Sequence, residues 1–492
     1  MSQEAVGGDY DVVVIGAGPV GENVADRAVQ GGLRVVIIEA ELVGGECSYW
    51  ACVPSKALLR SGQARRAAQR VPGAAEAITG EVDVAAVLAR RTEFASDFDD
   101  AGQVQWLQDA GIDLIRGTGE IIGPRRVRVH TSDGEQHLSP RHAVVLCTGS
   151  TAVVPDIPGL AEARVWTSRQ ATAATQVPES LLVLGGGVVA CEMASAYADL
   201  GSAVTMVVRG DRLLAGAEPF AGDLLAQALS DRGVRIELGT EVSSVARPET
   251  CGPLTVTYDD GREVGCAQML VATGRAPRTA GVGLQVVGLG QEQDPPRLRV
   301  DETMRVLDAT GAAVDWLYAV GDVSGRTALT HQGKYQARAA GDVIAARAAG
   351  AEVDDAPWGS HVATADHGAT PQVIFTDPQV AYVGRTAAEA QQAGYRIRVL
   401  DEDLGAIAGA ALHADGYTGT ARIVVDLDTE TILGASFVGA DVAELLHSAT
   451  IAVTGQVPLH RLWHAVPTFP TISEVWLRLL EAYGRPGWRR YR

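Results

Sequence analysis

Two cysteines with four residues between them, Cys47 and Cys52, stand in the run Gly44-Gly-Glu-Cys47-Ser-Tyr-Trp-Ala-Cys52-Val-Pro-Ser-Lys56. The chain of 492 residues holds only four other cysteines, Cys147, Cys191, Cys251 and Cys266. So sparse a set is no disulfide framework, and the close pair reads as redox-active or metal-binding. The pair lies at the entrance to a helix, whose N-terminal field favours thiolate, and this suits reversible disulfide chemistry. Zinc is the weaker reading, because no second Cys or His pair at metal-binding spacing follows, and no metal site is expected. Cys191 sits inside an apolar helical run and, like Cys147, Cys251 and Cys266, reads as buried packing.

A redox pair needs an electron source, and two stretches could supply one. Asp11-Val-Val-Val-Ile15 is a β-branched run of the kind buried in a parallel sheet, and it leads into Gly16-Ala-Gly18-Pro-Val-Gly21. Gly16, Gly18 and Gly21 permit a tight turn, close approach of backbone to a pyrophosphate and close helix packing, while the helix N-terminus supplies N–H donors. A second run, Arg34-Val-Val-Ile-Ile-Glu39, ends in the acid that would accept ribose hydroxyls. The unit returns as Leu181-Leu-Val-Leu184 followed by Gly185-Gly-Gly187-Val-Val-Ala190 and the strand Val204-Thr-Met-Val-Val208. Here Arg209 and Arg212 replace the terminal acid, and a guanidinium suits the 2′-phosphate of NADPH, so NADPH is favoured and NADH remains open. The first unit reads as an FAD fold and the second as a nicotinamide fold, which makes electron transfer between cofactors the expected activity.

At the cysteine run the sequence resembles the pyridine nucleotide-disulfide oxidoreductases, the family of glutathione reductase, dihydrolipoamide dehydrogenase and mercuric reductase. Gly45 falls in the shared motif, Thr148-Gly149-Ser150 and Ala272-Thr-Gly274-Arg275 resemble the family's two crossover turns, and Tyr318-Ala-Val-Gly321-Asp322 resembles its second FAD motif. The resemblance implies that Asp322 binds the ribityl chain and that Thr330-His331-Gln332 opens a helix beneath the flavin pyrimidine, with His331 as a neighbour only. It further implies that Cys52 is the thiol next to the flavin, Cys47 the outer exchanging thiol, Lys56 a cation near the flavin N5, and Glu192 its partner beside the nicotinamide. Pro371-Gln-Val-Ile-Phe-Thr-Asp-Pro378 and Ile432-Leu-Gly434 look like the family's dimerisation domain, which implies a homodimer with its active site at the subunit interface.

The elements that must position these groups give an α/β chain. Two Rossmann-like dinucleotide-binding domains, for FAD and NAD(P), precede a C-terminal α+β dimerisation domain. The expected boundaries are 1–150 and 281–353 for a split FAD domain, 151–280 for the NAD(P) domain, entered through Pro155-Asp-Ile-Pro158-Gly, and 354–492 for the interface domain. A 47% apolar fraction and 56 glycines fit a globular enzyme. A net charge of −19 argues against nucleic acid or an anionic membrane as partner. No segment approaches the roughly 18 apolar residues of a membrane span, and a strand begins at Asp11, so the expected location is the cytoplasm.

Three departures from the family bear on the electron acceptor. Ser-Tyr-Trp-Ala between the cysteines is bulkier than the family's usual residues and is expected to restrict access. Glu46 stands where threonine is common and is expected to disfavour the Cys47 thiolate. Near the C-terminus, disulfide reductases carry His-Pro-Thr-x-x-Glu, whose histidine is the acid-base partner of the outer thiol; this chain reads Phe469-Pro-Thr-Ile-Ser-Glu474. His464 could replace that histidine only if the backbone were rerouted, since a base must come within about 3 Å of its proton. The tail Gly487-Trp-Arg-Arg-Tyr-Arg492 has no cysteine pair of the mercuric reductase type. These features lead to a small acceptor, a quinone, a metal ion or a low-molecular-weight disulfide. The alternatives are a dihydrolipoamide dehydrogenase or other disulfide reductase, and a noncatalytic flavin-based redox sensor.

Overall fold

The computed structural model describes residues 10–249, 252–290 and 298–485; Cys251 and the tail 487–492 lie outside the described residues. The chain forms two compact units, one from Met1–Pro54, Thr92–Val153 and Arg275–Asp366, the other from Ser55–Arg91, Val154–Gly274 and His367–Arg492.

In the first unit, the alternating side chains of Val12–Ile15 are all buried, as a strand covered on both faces requires. Val12 and Val14 pack with Val24, Ala25 and Ala28 of the helix Pro19–Gln30 and with Ala337, Ala340 and Val343 of the helix Thr330–Ala348. Val13 and Ile15 face Ile121, Val127 and Val129, which belong to the antiparallel sheet Thr118–Gly123, Arg126–Thr131 and Gly134–Leu138. Full burial of each such valine or isoleucine contributes about 1.5–3 kcal/mol. The six-stranded sheet runs in the order Arg305–Leu307, Ala313–Ala319, Ala143–Leu146, Val12–Ile15, Val35–Glu39, Asp113–Arg116. Val12 pairs in parallel with Val35 on one side and Ala143 on the other, so the glycine turn leaves the sheet between two neighbours.

The second unit repeats this plan with a four-stranded parallel sheet in the order Arg235–Leu238, Ala203–Val208, Ser180–Leu184, Gln268–Val271. Its helix Val188–Asp199 is buried on most sides. The same unit holds a five-stranded antiparallel sheet in the order Pro371–Ile374, Gln379–Gly384, Thr431–Gly439, Thr420–Asp426, Ile397–Asp403. Among the described residues no helix is long and apolar enough to cross a membrane.

Candidate active site

The first unit contains a cavity of ≈ 280 Å³ whose lining extends from Gly16, Gly18 and Glu39 to Cys47, Asp322 and Thr330. Its phosphate end fits a dinucleotide. Gly16 has φ +104°, and a Cβ there would stand 2.4 Å from the Cys147 carbonyl oxygen. A Cβ on Gly18 would meet nothing within 4 Å, so the backbone there is open to a ligand. Gly45, at φ +58°, brings the cysteine segment so near that its Cβ would lie 2.8 Å from the Gly18 Cα. Gly21 is buried in the helix behind the turn. The Glu39 carboxylate accepts hydrogen bonds from the backbone N–H of Ala17 (2.7 Å) and Glu41 (2.8 Å), which fixes it at the cavity edge. Thr148 and Gly149 line the same cavity, and Thr148 Oγ1 donates to the Arg278 carbonyl at 2.6 Å. Gly321, at φ +79°, donates its N–H to Gln336 Oε1 at 2.9 Å. Asp322 Oδ2 accepts from Ser150 Oγ at 2.5 Å. His331 is exposed in the first turn of Thr330–Ala348.

Cys47 and Cys52 are not joined in a disulfide, and a third group, one that sequence reasoning did not single out, stands between them. Thr330 Oγ1 lies 3.3 Å from Cys47 Sγ and 3.3 Å from Cys52 Sγ. The Cys47 thiol is held well above its ordinary pKa, first by its hydrogen bond with Cys52, then by burial and the Cys52 charge; Thr330 and Lys334 pull the other way. Glu46 is paired with Arg275 Nη2 at 2.7 Å, with Arg278 at 3.6 Å. The expected bulk is redirected. Tyr49 is fully buried and its hydroxyl donates to the Val43 carbonyl, while the Trp50 ring lies 6.4 Å from that of Phe98. A further titratable group is Glu22, whose carboxyl is pushed by burial up to about 7, against the pull of Lys334.

In the second unit, Lys56 Nζ lies 2.7 Å from Glu192 Oε2 and 5.0 Å from the centre of the Phe375 ring. Glu192 is 3% exposed, and its other oxygen accepts from the Phe375 N–H at 3.0 Å. The helix Cys52–Gln69, which carries Lys56, meets the helix Val188–Asp199, which carries Glu192, again further along, where Arg66 pairs with Asp199; Arg66 also pairs with Asp377 (2.6 Å), which takes Arg70 as well (2.9 Å). At the second glycine turn, Gly185 has φ +129° and Gly187 is open to space; Gly274, at φ +144°, ends the central segment of this unit. Arg212 is held by Asp211 at 3.2 Å, whereas Arg209 is exposed immediately after the strand Ala203–Val208. Cys191 is buried, as are Cys147 and Cys266; burial pushes the Cys266 thiol up to about 11.

Near the C-terminus, Phe469 is 75% exposed and His464 is exposed. No hydrogen bond or ion pair joins His464 to Glu474 among the described residues. Glu474 is 8% exposed, its Oε1 accepts from Arg478 at 2.8 Å, and its Oε2 is buried without a partner among the described residues. Among the described residues no group of three or more His, Cys, Asp and Glu side chains is placed to hold a metal ion.

A dinucleotide cradle that reaches a thiol pair, in a chain with a second nucleotide fold, defines a flavin- and nicotinamide-dependent oxidoreductase. The sequence profile described as "Pyridine nucleotide-disulphide oxidoreductase" matches residues 10–337, and that of the family's dimerisation domain matches residues 370–479. The chain belongs to the pyridine nucleotide-disulfide oxidoreductase family, whose members use FAD and NAD(P)H as cofactors. It is 29% identical over 484 residues to a dihydrolipoyl dehydrogenase of Zymomonas mobilis, covering 97% of this chain and 98% of that protein. To a mercuric reductase of Staphylococcus aureus it is 29% identical over 472 residues, covering 95% and 81%. Among solved structures, the Cu(II) complex of the HOCl-induced flavoprotein disulfide reductase RclA from Escherichia coli superposes with TM-score 0.81 at 26% identity, covering 96% of this chain and 99% of that one.

Proposed function

We propose that this enzyme passes electrons from NADPH, through FAD and the Cys47–Cys52 pair, to a small acceptor, a quinone, a metal ion or a low-molecular-weight disulfide. A quinone fits best, because it alone of the organic acceptors in this set takes electrons without a thiol leaving group. The observation that carries this reading is Phe469, which stands exposed at the position where disulfide reductases present a proton-carrying histidine. A phenyl ring moves no proton, and the nearby His464 makes no pair with Glu474, which Arg478 holds instead.

Bound FAD would supply two-electron chemistry between the nicotinamide and the oxidised, disulfide form of Cys47–Cys52, which two electrons open to the thiol pair. Gly16, Gly18, Gly21, Glu39, Gly45, Thr148, Gly149, Gly321 and Asp322 would hold it, and Gly185, Gly187, Gly274 and Arg209 the nicotinamide dinucleotide. Cys52 would be the sulfur next to the flavin and Cys47 the outer one, with Thr330 supplying one hydroxyl to both sulfurs. Lys56 would offset negative charge on the reduced ring and Glu192 would hold Lys56 in place. The exposed apolar side chains Leu412, Ile451, Val466 and Phe469, all within the stretch matched by the dimerisation profile, favour a homodimer in which Phe469 faces the partner's site. The free, buried Cys147, Cys191 and Cys266 are compatible with a reducing compartment such as the cytoplasm.

A stopped-flow screen tests the proposal. NADPH-reduced enzyme is mixed with a soluble quinone, Hg²⁺, Cu²⁺, lipoamide and glutathione disulfide. Rapid multiple turnover with the quinone and slow reoxidation by both disulfides is expected. Fast lipoamide reoxidation would make this a disulfide reductase, and the absence of turnover with every acceptor would favour a redox sensor.

A further inference from the structure

Glu46 is unusual beside a reactive thiol, and its carboxylate ends a continuous chain of polar contacts. Arg275 Nη2 donates to Glu46 Oε2 at 2.7 Å and to the Ser150 carbonyl at 2.9 Å, while Arg275 Nε donates to Ser150 Oγ at 2.7 Å. Ser150 Oγ donates in turn to Asp322 Oδ2 at 2.5 Å. The backbone keeps these groups in register, because Ser150–Ala152 pairs with Arg275–Pro277. Glu46, Ser150, Arg275, Arg278 and Asp322 all line the cavity, together with Glu39 and Glu41 at its other end.

We propose that Glu46 is a positioning residue: its ion pair with Arg275 fixes the Arg275–Ser150–Asp322 chain and, by offsetting the Arg275 charge at that end of the cavity, tunes the flavin's reduction potential. The proposal rests on the family's flavin and on no particular acceptor. Removing the Glu46 charge makes this end of the cavity one charge more positive, which favours an anionic reduced ring, whereas removing the Arg275 charge does the opposite. A purely structural role would not give two shifts of opposite sign.

The experiment is a spectroelectrochemical titration of holoenzyme carrying Glu46→Gln, Arg275→Gln or both, alongside measurement of FAD release by fluorescence. The flavin midpoint is expected to rise in Glu46→Gln, fall in Arg275→Gln and return toward the wild-type value in the double variant. FAD dissociation should rise about tenfold or more in each single variant and no further in the double, as for loss of one charged hydrogen-bonded unit. Single variants that shift the midpoint in the same direction, or leave it unmoved, would overturn the proposal, as would effects that add in the double. If Arg275→Gln does not fold, Glu46→Asp replaces it: the aspartate keeps the charge and is expected to keep the wild-type midpoint, and a shift matching that of Glu46→Gln would overturn the proposal.

Discussion

Replacing Lys56 by methionine removes the counter-charge of a carboxylate that cannot reach water. Glu192 is 3% exposed, one of its oxygens lies 2.7 Å from Lys56 Nζ, and the other takes the Phe375 N–H. Breaking a buried pair from the side that leaves the charge interred costs about 3–5 kcal/mol. The reverse change, Glu192→Gln, strands the ammonium instead. The Lys56 side chain is 35% exposed and can rehydrate, so about 1–2 kcal/mol is expected. The two variants should therefore be unequal. The double variant should be more stable than Lys56→Met alone by about 2 kcal/mol, because neutralising Glu192 removes the stranded charge. Urea and thermal midpoints of the FAD-loaded proteins measure this. Equal losses in the two single variants, or additive losses in the double, would refute the assignment of the pair as a desolvated unit centred on Glu192.

Three further outcomes are expected. In Arg209→Ala the ratio of kcat/KM for NADPH over NADH should fall about tenfold or more, while Arg212→Ala, whose guanidinium is already held by Asp211, should change it less; an unchanged ratio in Arg209→Ala would remove that residue from nucleotide choice. Anaerobic dithionite titration should consume about four electron equivalents per FAD in wild type and about two in Cys52→Ser; a two-electron endpoint in both would take the thiol pair out of the circuit. Glu22, with its carboxyl raised from 4.5 to about 7, destabilises the fold once ionised, so its contribution is fully favourable below pH 4.5 and is lost as pH rises towards 7. Glu22→Gln should accordingly match wild type at pH 4.5 and exceed it by about 3 kcal/mol at pH 8, read from denaturant midpoints; a gain that does not change with pH would refute this.

The nucleotide folds were legible because their chemistry is local. Continuous apolar runs that end in Gly16 or Gly185 announce a buried strand entering a turn at positive φ, and both glycines adopt it. The cysteine pair was legible from spacing, but its roles and those of Lys56 and Glu192 came from family resemblance alone, since Lys56 and Glu192 lie 136 positions apart. A partial signal was available: Lys56, Gln63, Arg66 and Arg70 recur at intervals that share one helix face, and these side chains meet Glu192, Phe375, Asp199 and Asp377. Glu46 was flagged for its charge, yet Arg275, which accompanies it across 229 positions, was read only as part of a turn. The hydroxyl of Thr330 between the two sulfurs left no mark in the sequence. Nor did the grouping of Ser55–Arg91 with the second unit, since the boundary at Pro54–Ser55 falls in the first turn of the helix Cys52–Gln69, where a proline opens a helix as readily as it ends a unit.

The missing histidine is the feature on which the choice of acceptor turns, since positioned acid-base assistance is typically worth about 10²–10⁴-fold in rate. The most direct measurement is kcat/KM for lipoamide and for a soluble quinone under identical conditions, in wild type, Phe469→His and His464→Ala. The expected result is a wild-type preference for the quinone that His464→Ala leaves in place and that Phe469→His shifts towards lipoamide. High lipoamide turnover in wild type that collapses in His464→Ala would show that His464 supplies the proton and would contradict the assignment away from disulfide reduction.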